Sequence, residues 1–155
     1  MKTSQLALEI FDTGLSCAEA VAIAGMKRLG RQSDLVPRIA TGFGGGLSRT
    51  KSICGALTGG VLVLSAAFGR DKLGDDREVL LAKTQALVGG FRASFGSDNC
   101  FELTGLDFGE PDAMRAYRER VHARCRRYVE WVADRLDELL APDRAKSAEA
   151  GQKSS

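Results

Sequence analysis

The spacing of apolar residues constrains this 155-residue chain most strongly, because they recur at intervals of three and four and no segment alternates as a β-strand does. The longest series consists of Met114, Tyr117, Val121, Cys125, Tyr128, Val132, Leu136 and Leu139. It places one apolar face along a helix that we expect to have Pro111 at its first position and to end near Leu140. The pattern predicts an all-α fold with a long C-terminal helix.

Capping residues and glycines predict the ends of the other helices. Ser16 and Glu19 form a Ser-x-x-Glu capping box, which predicts a helix from Cys17 to about Leu29. The remaining predicted helices cover residues 3–12, 35–41, 53–68, 76–95 and 99–103. From the second of these helices onward, the predicted N-caps are, in order, Asp34, Ser52, Asp75 or Asp76, and Asp98. The Gly42–Gly46 run interrupts the helical pattern and predicts a loop. We therefore expect a compact bundle of about six or seven helices.

Periodicity also divides the chain into a folded part and a tail. Residues 1–141 carry the helical pattern and predict a single domain that contains all four cysteines. Residues 142–155 are rich in Ala, Ser, Lys and Gly and have no apolar periodicity, so they predict a disordered tail.

Charge and hydropathy exclude several classes of protein. The net charge of +2 provides no field to hold nucleic acid or anionic lipid. The densest basic group lies off the apolar face and predicts a solvated surface; it comprises Arg115, Arg118, Arg120, Arg124, Arg126 and Arg127. Residues 1–10 are too interrupted by charge for a signal peptide, and the uncharged run 52–69 contains four glycines and fits a buried helix better than a membrane span. These features predict a cytoplasmic protein without a nucleic-acid partner or a stable membrane span.

The four cysteines are the strongest candidates for function: Cys17, Cys54, Cys100 and Cys125. Cytoplasmic cysteines serve metal binding or redox chemistry more than structural disulfides. The first three fall in the first turn of a predicted helix, where unpaired N–H groups and the helix dipole favour a thiolate, and arginines beside Cys125 should also lower its pKa. A role as core filler is the alternative, because free cysteine packs as a small apolar residue. No Cys-x-x-Cys occurs, which excludes ferredoxin, zinc-ribbon and thioredoxin motifs.

Segments around these cysteines form a longer pattern. They are Cys17-Ala18-Glu19-Ala20-Val21, Ala40-Thr41-Gly42-Phe43-Gly44-Gly45-Gly46, Cys54-Gly55-Ala56-Leu57-Thr58-Gly59, Gly96-Ser97-Asp98-Asn99-Cys100 and a last Cys125. Over about residues 15–130 this order resembles the redox-active protein family C_GCAxxG_C_C, named after its four cysteines and its Cys-Gly-Ala-x-x-Gly element. The resemblance implies a small helical domain with a redox or iron–sulfur role, often encoded near transporters.

Three functions fit this set of cysteines. In the first, all four converge to bind an iron–sulfur cluster, [2Fe–2S] or [4Fe–4S], for electron transfer or redox sensing, and backbone N–H groups of Gly44 and Gly45 hydrogen-bond to the cluster sulfurs. In the second, the protein exchanges thiols and disulfides without metal, and Cys54 or Cys100 is the attacking, low-pKa thiol. In the third, the four thiolates hold a structural zinc ion in a non-catalytic helical module. For the glycines, a tight connection between helices is the alternative.

The remaining expectations concern partners. An electron-transfer role or an oxidoreductase role requires a redox partner, and the resemblance suggests one associated with a transporter. The small face formed by Gly55, Ala56, Gly59 and Gly60 permits a homodimer, and equally permits close packing within one chain. His122 lies three residues before Cys125, where it is a candidate fifth ligand or proton donor, with a partly exposed surface histidine as the alternative.

Overall fold

The computed structural model describes residues 1–142, whose helices follow the predicted order along the chain. The seven α-helices are α1 (Thr3–Asp12), α2 (Cys17–Arg28), α3 (Gly55–Phe68), α4 (Glu78–Phe95), α5 (Cys100–Thr104), α6 (Ala113–Ala116) and α7 (His122–Leu140). The predicted all-α class is confirmed, since residues 1–142 form no strand. Apart from Pro142, the predicted tail at 142–155 lies outside the described residues.

Local sequence signals set several helix ends as predicted. The Ser16 hydroxyl accepts a hydrogen bond from the Glu19 N–H at 3.2 Å, and the Glu19 carboxylate accepts one from the Ser16 N–H at 2.8 Å, which completes the capping box of α2. Gly96 and Gly105 end α4 and α5 with φ of 82° and 67°, a left-handed conformation that glycine adopts without a Cβ clash.

Four predicted N-caps are wrong. Pro37 rather than Asp34 precedes the 3₁₀ helix Arg38–Phe43, and Arg77 rather than Asp75 or Asp76 precedes α4. The errors at Ser52 and Asp98 have one cause. Helix α3 begins at Gly55 with Cys54 at its N-cap, and α5 begins at Cys100 with the Asn99 side chain as its cap. Residues 52–54 and 98–100 instead run as extended segments that pair across an isolated antiparallel bridge between Ile53 and Asn99. Because this pairing uses the backbone groups of both segments, neither Ser52 nor Asp98 caps a helix.

The glycine run leaves the right-handed helix as predicted and forms a left-handed turn, residues Gly44–Arg49. Gly45, Gly46, Leu47, Ser48 and Arg49 have φ between 55° and 69°. Only glycine adopts this region at little cost, so the three non-glycine residues need support. The Ser48 hydroxyl supplies some by donating to the Gly42 carbonyl at 2.7 Å. Before the turn, the predicted helix at 35–41 is a 3₁₀ helix, Arg38–Phe43.

The long C-terminal helix is present but not uniform. Its first helical residue is Ala113, two residues after Pro111, and a π-helical turn, Tyr117–Val121, joins α6 to α7. Met114, predicted on the buried face, is 40% exposed. From Val121 onward the predicted apolar face is buried or half-buried.

Helix packing brings the cysteine-bearing segments together. Helix α2 lies against α3, and α1 lies against α7. A Cβ atom added at Gly59 would lie 2.7 Å from the Ala18 carbonyl oxygen, and one at Gly60 would lie 2.8 Å from a Val132 methyl group. The small face of α3 is therefore used for packing within the chain, and it provides no surface for a dimer. Within residues 1–142 no helix has the length and apolar character needed to cross a membrane.

Candidate functional site

All four cysteines line one cavity of about 490 Å³. Cys17 is the first residue of α2, Cys54 is the N-cap of α3, and Cys100 is the first residue of α5, so the prediction that three cysteines lie at helix starts is confirmed. Cys125 is the fourth residue of α7, which directly follows the π-helical turn. All four thiols are free of disulfides. Four helices that are distant in sequence thus each contribute one thiol to a common space.

The bridge between residues 52–54 and 98–100 fixes two of these cysteines relative to each other. The Cys54 N–H donates to the Asp98 carbonyl at 2.8 Å, and the Cys100 N–H donates to the Ser52 carbonyl at 2.7 Å. The Asn99 side chain adds a hydrogen bond to the Lys51 carbonyl at 2.8 Å. Cys54 and Cys100 are both buried. Their backbones are therefore held together independently of any bond between the sulfurs.

Glycines allow backbone to approach the sulfurs closely. A Cβ atom added at Gly55 would lie 2.7 Å from the Cys17 sulfur, and one at Gly46 would lie 2.6 Å from Cβ of Cys100. Gly44 and Gly45 line the cavity, as predicted for the glycine run, and a Cβ atom at Gly44 would meet Ser16 at 2.7 Å. A side chain at Gly44, Gly46 or Gly55 would displace a cysteine or its support.

The expected lowering of thiol pKa values is wrong for all four cysteines. Burial raises the pKa of Cys54 well above its ordinary value, and the neighbouring thiol of Cys17 raises it further. Burial raises the pKa of Cys100 to about 11, with Cys17 again adding to the effect. Burial likewise raises the pKa of Cys17, against hydrogen bonds from backbone N–H groups that include those of Ala18 and Gly45. The cost of removing a thiolate from water thus outweighs the stabilisation that a helix start gives it, because a charged thiolate is poorly solvated in this cavity.

Cys125 follows the same rule. Burial raises its pKa above the ordinary value, and the thiols of Cys17 and Cys100 add to this effect. Arg124 lowers it, but by less than burial raises it. The arginines near Cys125 therefore do not produce a reactive thiolate.

The raised pKa of the Cys100 thiol makes the stability of the reduced, metal-free protein sensitive to alkali. The Cys100 thiol ionises near its ordinary value of 9.0 in the unfolded chain and only near 11 in the fold. The stabilisation that the buried Cys100 thiol contributes is complete below pH 9, where the thiol is protonated in both the folded and the unfolded chain. This stabilisation is lost as the pH rises to about 11. We expect urea unfolding to show this loss, about 1–2 kcal/mol after allowance for partial solvation of the thiol. The loss should be smaller in Cys100→Ala, and equal pH dependence in both proteins would contradict the assignment.

Two residues of the C-terminal helix hold α5 in place, and the sequence analysis did not single them out for this role. The Tyr128 hydroxyl donates to the Leu103 carbonyl at 3.1 Å, and Arg124 Nη1 donates to the same carbonyl at 3.2 Å and to the Thr104 carbonyl at 3.4 Å. These bonds satisfy the last carbonyls of α5, which begins with Cys100. They connect the elements that carry Cys100 and Cys125.

Tyr117 is a further cavity residue that the sequence analysis placed only in the apolar core. It lines the same cavity as the four cysteines and also contacts Phe108 and His122 through its ring. The apolar spacing of the sequence included Tyr117, but no sequence signal marked the π turn that presents it.

His122 does not line the cavity. Its ring stacks on Phe11 with centroids 4.9 Å apart, its Nε2 lies 3.7 Å from an Asp12 carboxylate oxygen, and its side chain is 34% exposed. The structure thus supports a partly exposed histidine rather than a fifth ligand. Five of the six arginines of the basic group are exposed, as predicted for a solvated surface, and the sixth, Arg126, is half-buried and pairs with Asp12.

The cavity offers the donor set of a metal–thiolate centre, yet it is not arranged around a single ion. Within residues 1–142, no group of three or more His, Cys, Asp or Glu side chains is positioned to hold one metal ion. The four cysteines instead line a cavity of about 490 Å³ together with other residues. Soft thiolates in this number suit zinc or an iron–sulfur cluster.

Comparison with known proteins agrees with the pattern of cysteines and glycines. No curated protein and no solved structure matches the chain. Residues 15–139, which contain all four cysteines and the whole cavity wall from Leu15 onward, match the family described as "Putative redox-active protein (C_GCAxxG_C_C)". Because this match covers most of the chain, the protein belongs to the C_GCAxxG_C_C family of redox-active proteins.

Proposed function

We propose that Cys17, Cys54, Cys100 and Cys125 together hold an iron–sulfur cluster that serves electron transfer or redox sensing. The observation that supports this proposal best is the placement of four free thiols, from four separate helices, around one cavity. Cysteine thiolates are the usual ligands of such clusters, and a bound cluster supplies one-electron redox chemistry. The redox-active description of the family agrees with this function.

The shape of the site favours a cluster over a structural zinc ion. A zinc ion lies about 2.3 Å from each of its sulfur ligands, so its four thiolates must gather around one point. Such a gathering is not found among residues 1–142. A cluster contains several metal ions and binds each thiolate at its own position, which suits four thiols spread around a cavity.

The electrostatics of the site favour a cluster over thiol–disulfide exchange. Exchange requires an attacking thiolate with a pKa near or below the ambient pH. Burial raises the pKa of Cys54 well above its ordinary value and that of Cys100 to about 11, so both proposed nucleophiles stay protonated near neutral pH. Burial and mutual repulsion both oppose ionisation of the four thiols. A positively charged metal centre that binds all four thiolates offsets both effects.

The surroundings of the cysteines have defined roles under this proposal. Backbone N–H groups of Ala18, Gly45 and Ala56 act to lower the pKa of Cys17, and such donors, when they bond to a thiolate-bound centre, raise its reduction potential. Apolar walls, including Phe11 and Leu103, keep water away from the sulfurs. Four reduced thiols require a reducing compartment, so the proposal includes a cytoplasmic location and an unidentified redox partner.

The test is an absorption spectrum together with iron, zinc and acid-labile sulfide analysis of protein purified without oxygen. We expect broad visible absorption and stoichiometric iron and sulfide. A colourless protein with one zinc ion per chain would establish the structural-zinc alternative. A colourless, metal-free protein whose thiols pair on oxidation would establish exchange, and either result would overturn the cluster.

A further inference from the structure

The π-helical turn changes which residues of the C-terminal helix face the cysteines. Tyr117 and Cys125 are eight residues apart, which in an uninterrupted α-helix at about 100° per residue separates their directions by about 80°. A π turn accommodates one extra residue, so the separation falls to about 20°. Tyr117 consequently lines the same cavity as Cys125. Turns of this kind are frequent at functional sites.

The two tyrosines of the cavity differ in what their hydroxyl groups do. The Tyr128 hydroxyl is committed to the Leu103 carbonyl at 3.1 Å. The Tyr117 hydroxyl makes no hydrogen bond within residues 1–142, although its ring is held between Phe108 at 5.6 Å and His122 at 5.7 Å between centroids. The Tyr117 hydroxyl is therefore free to donate a hydrogen bond to a group that occupies the cavity.

The thiols lie close enough to Tyr117 to influence it electrostatically. Burial raises the pKa of Tyr117 above its ordinary value, and Cys125, Cys17 and Cys100 raise it further. The phenol therefore keeps its proton and acts as a donor at any pH at which the protein is handled. The sulfurs of these three cysteines line the same cavity and are candidate acceptors, since sulfur accepts hydrogen bonds weakly as a thiol and more strongly as a metal-bound thiolate.

We propose that the Tyr117 hydroxyl donates a hydrogen bond to a sulfur of the group held by the four cysteines and thereby raises its reduction potential. This proposal rests on the proposed cluster. A donor placed beside a cluster sulfur stabilises the more negative, reduced state, which is the physical reason for the expected direction. Tyr117 is thus a tuning residue of the site, presented to it by the π turn.

The experiment compares the reduction potential of wild-type protein with those of Tyr117→Phe and Thr58→Val, which removes a hydroxyl that does not line the cavity and bonds to the Gly55 carbonyl at 3.1 Å. Phenylalanine keeps the ring contacts with Phe108 and His122 and removes only the hydroxyl. One hydrogen bond changes the equilibrium by up to about tenfold, which corresponds to about 59 mV for a one-electron couple. We expect a potential lowered by a substantial part of this amount in Tyr117→Phe and a much smaller change in Thr58→Val.

A second measurement keeps the proposal testable if Tyr117→Phe binds less iron. The chain contains two tyrosines, so 3-fluorotyrosine introduced into Tyr128→Phe labels Tyr117 alone. Fluorine makes the phenol a stronger donor, and the potential should rise above that of unlabelled Tyr128→Phe. Unchanged potentials in both experiments would overturn the role of Tyr117 while leaving the cluster in place. A colourless wild-type protein would overturn the cluster and, with it, this inference.

Discussion

Replacement of Cys54 by serine is expected to release most of the iron and sulfide and to remove the visible absorption of the protein. Cys54 is buried at the start of α3, and its backbone is held by the hydrogen bond from its N–H to the Asp98 carbonyl. A serine hydroxyl there cannot supply a soft, anionic sulfur ligand. Removal of a residue that only hydrogen-bonds to a metal ligand lowers metal affinity by about 10–100-fold. Removal of the ligand itself should therefore reduce iron occupancy by more than about tenfold.

The four cysteines should behave alike in this measurement, which separates a cluster from exchange. Serine at Cys17, Cys100 or Cys125 should lower the iron content as serine at Cys54 does. Thr58→Ser is the matched control, because Thr58 lies one turn further along the same helix and its hydroxyl bonds to the Gly55 carbonyl at 3.1 Å, away from the sulfurs. Full metal retention by all four single variants would contradict the cluster. Exchange would be indicated if the protein held no metal and only two of the four replacements abolished thiol–disulfide turnover.

Gly59→Ala is expected to lower the free energy of unfolding by about 2–3 kcal/mol, a typical cost of an added methyl group in a tightly packed interface. The added Cβ atom would lie 2.7 Å from the Ala18 carbonyl oxygen and 3.1 Å from Cβ of Val21. Both neighbours belong to α2, so α2 must move away from α3. Because Cys17 begins α2 and Cys54 precedes α3, the same movement should also weaken metal retention.

Gly89→Ala provides the control for this prediction. Gly89 also lies inside a helix, α4, but a Cβ atom added there would have no neighbour within 4 Å. Alanine should therefore stabilise the protein there by about 0.5–1 kcal/mol through helix propensity alone. Chemical denaturation of both variants gives the comparison. Similar stabilities for Gly59→Ala and Gly89→Ala would show that α2 and α3 are not packed as closely as described.

Much of the helical framework follows from local signals. The Ser16–Glu19 capping box and the glycines at 96 and 105 act within one turn of chain, so their effects depend little on the rest of the fold. Ser52 and Asp98 carry the same kind of signal and do not cap helices. There the pairing of two segments 46 residues apart replaces the local interaction, and no spacing within either segment indicates it.

The sequence by itself determined the all-α class, three cysteines at helix starts and the family to which the chain belongs, because these depend on periodicity, capping and an ordered pattern of residues. Tertiary structure decided how far the four thiols are buried and which pKa values follow. Burial in a shared cavity reversed the direction expected for their pKa values, since desolvation outweighs the local effect of a helix start. It also decided that the small face of α3 packs against α2 and that a π turn presents Tyr117 to the sulfurs. Both depend on contacts between segments far apart in the chain.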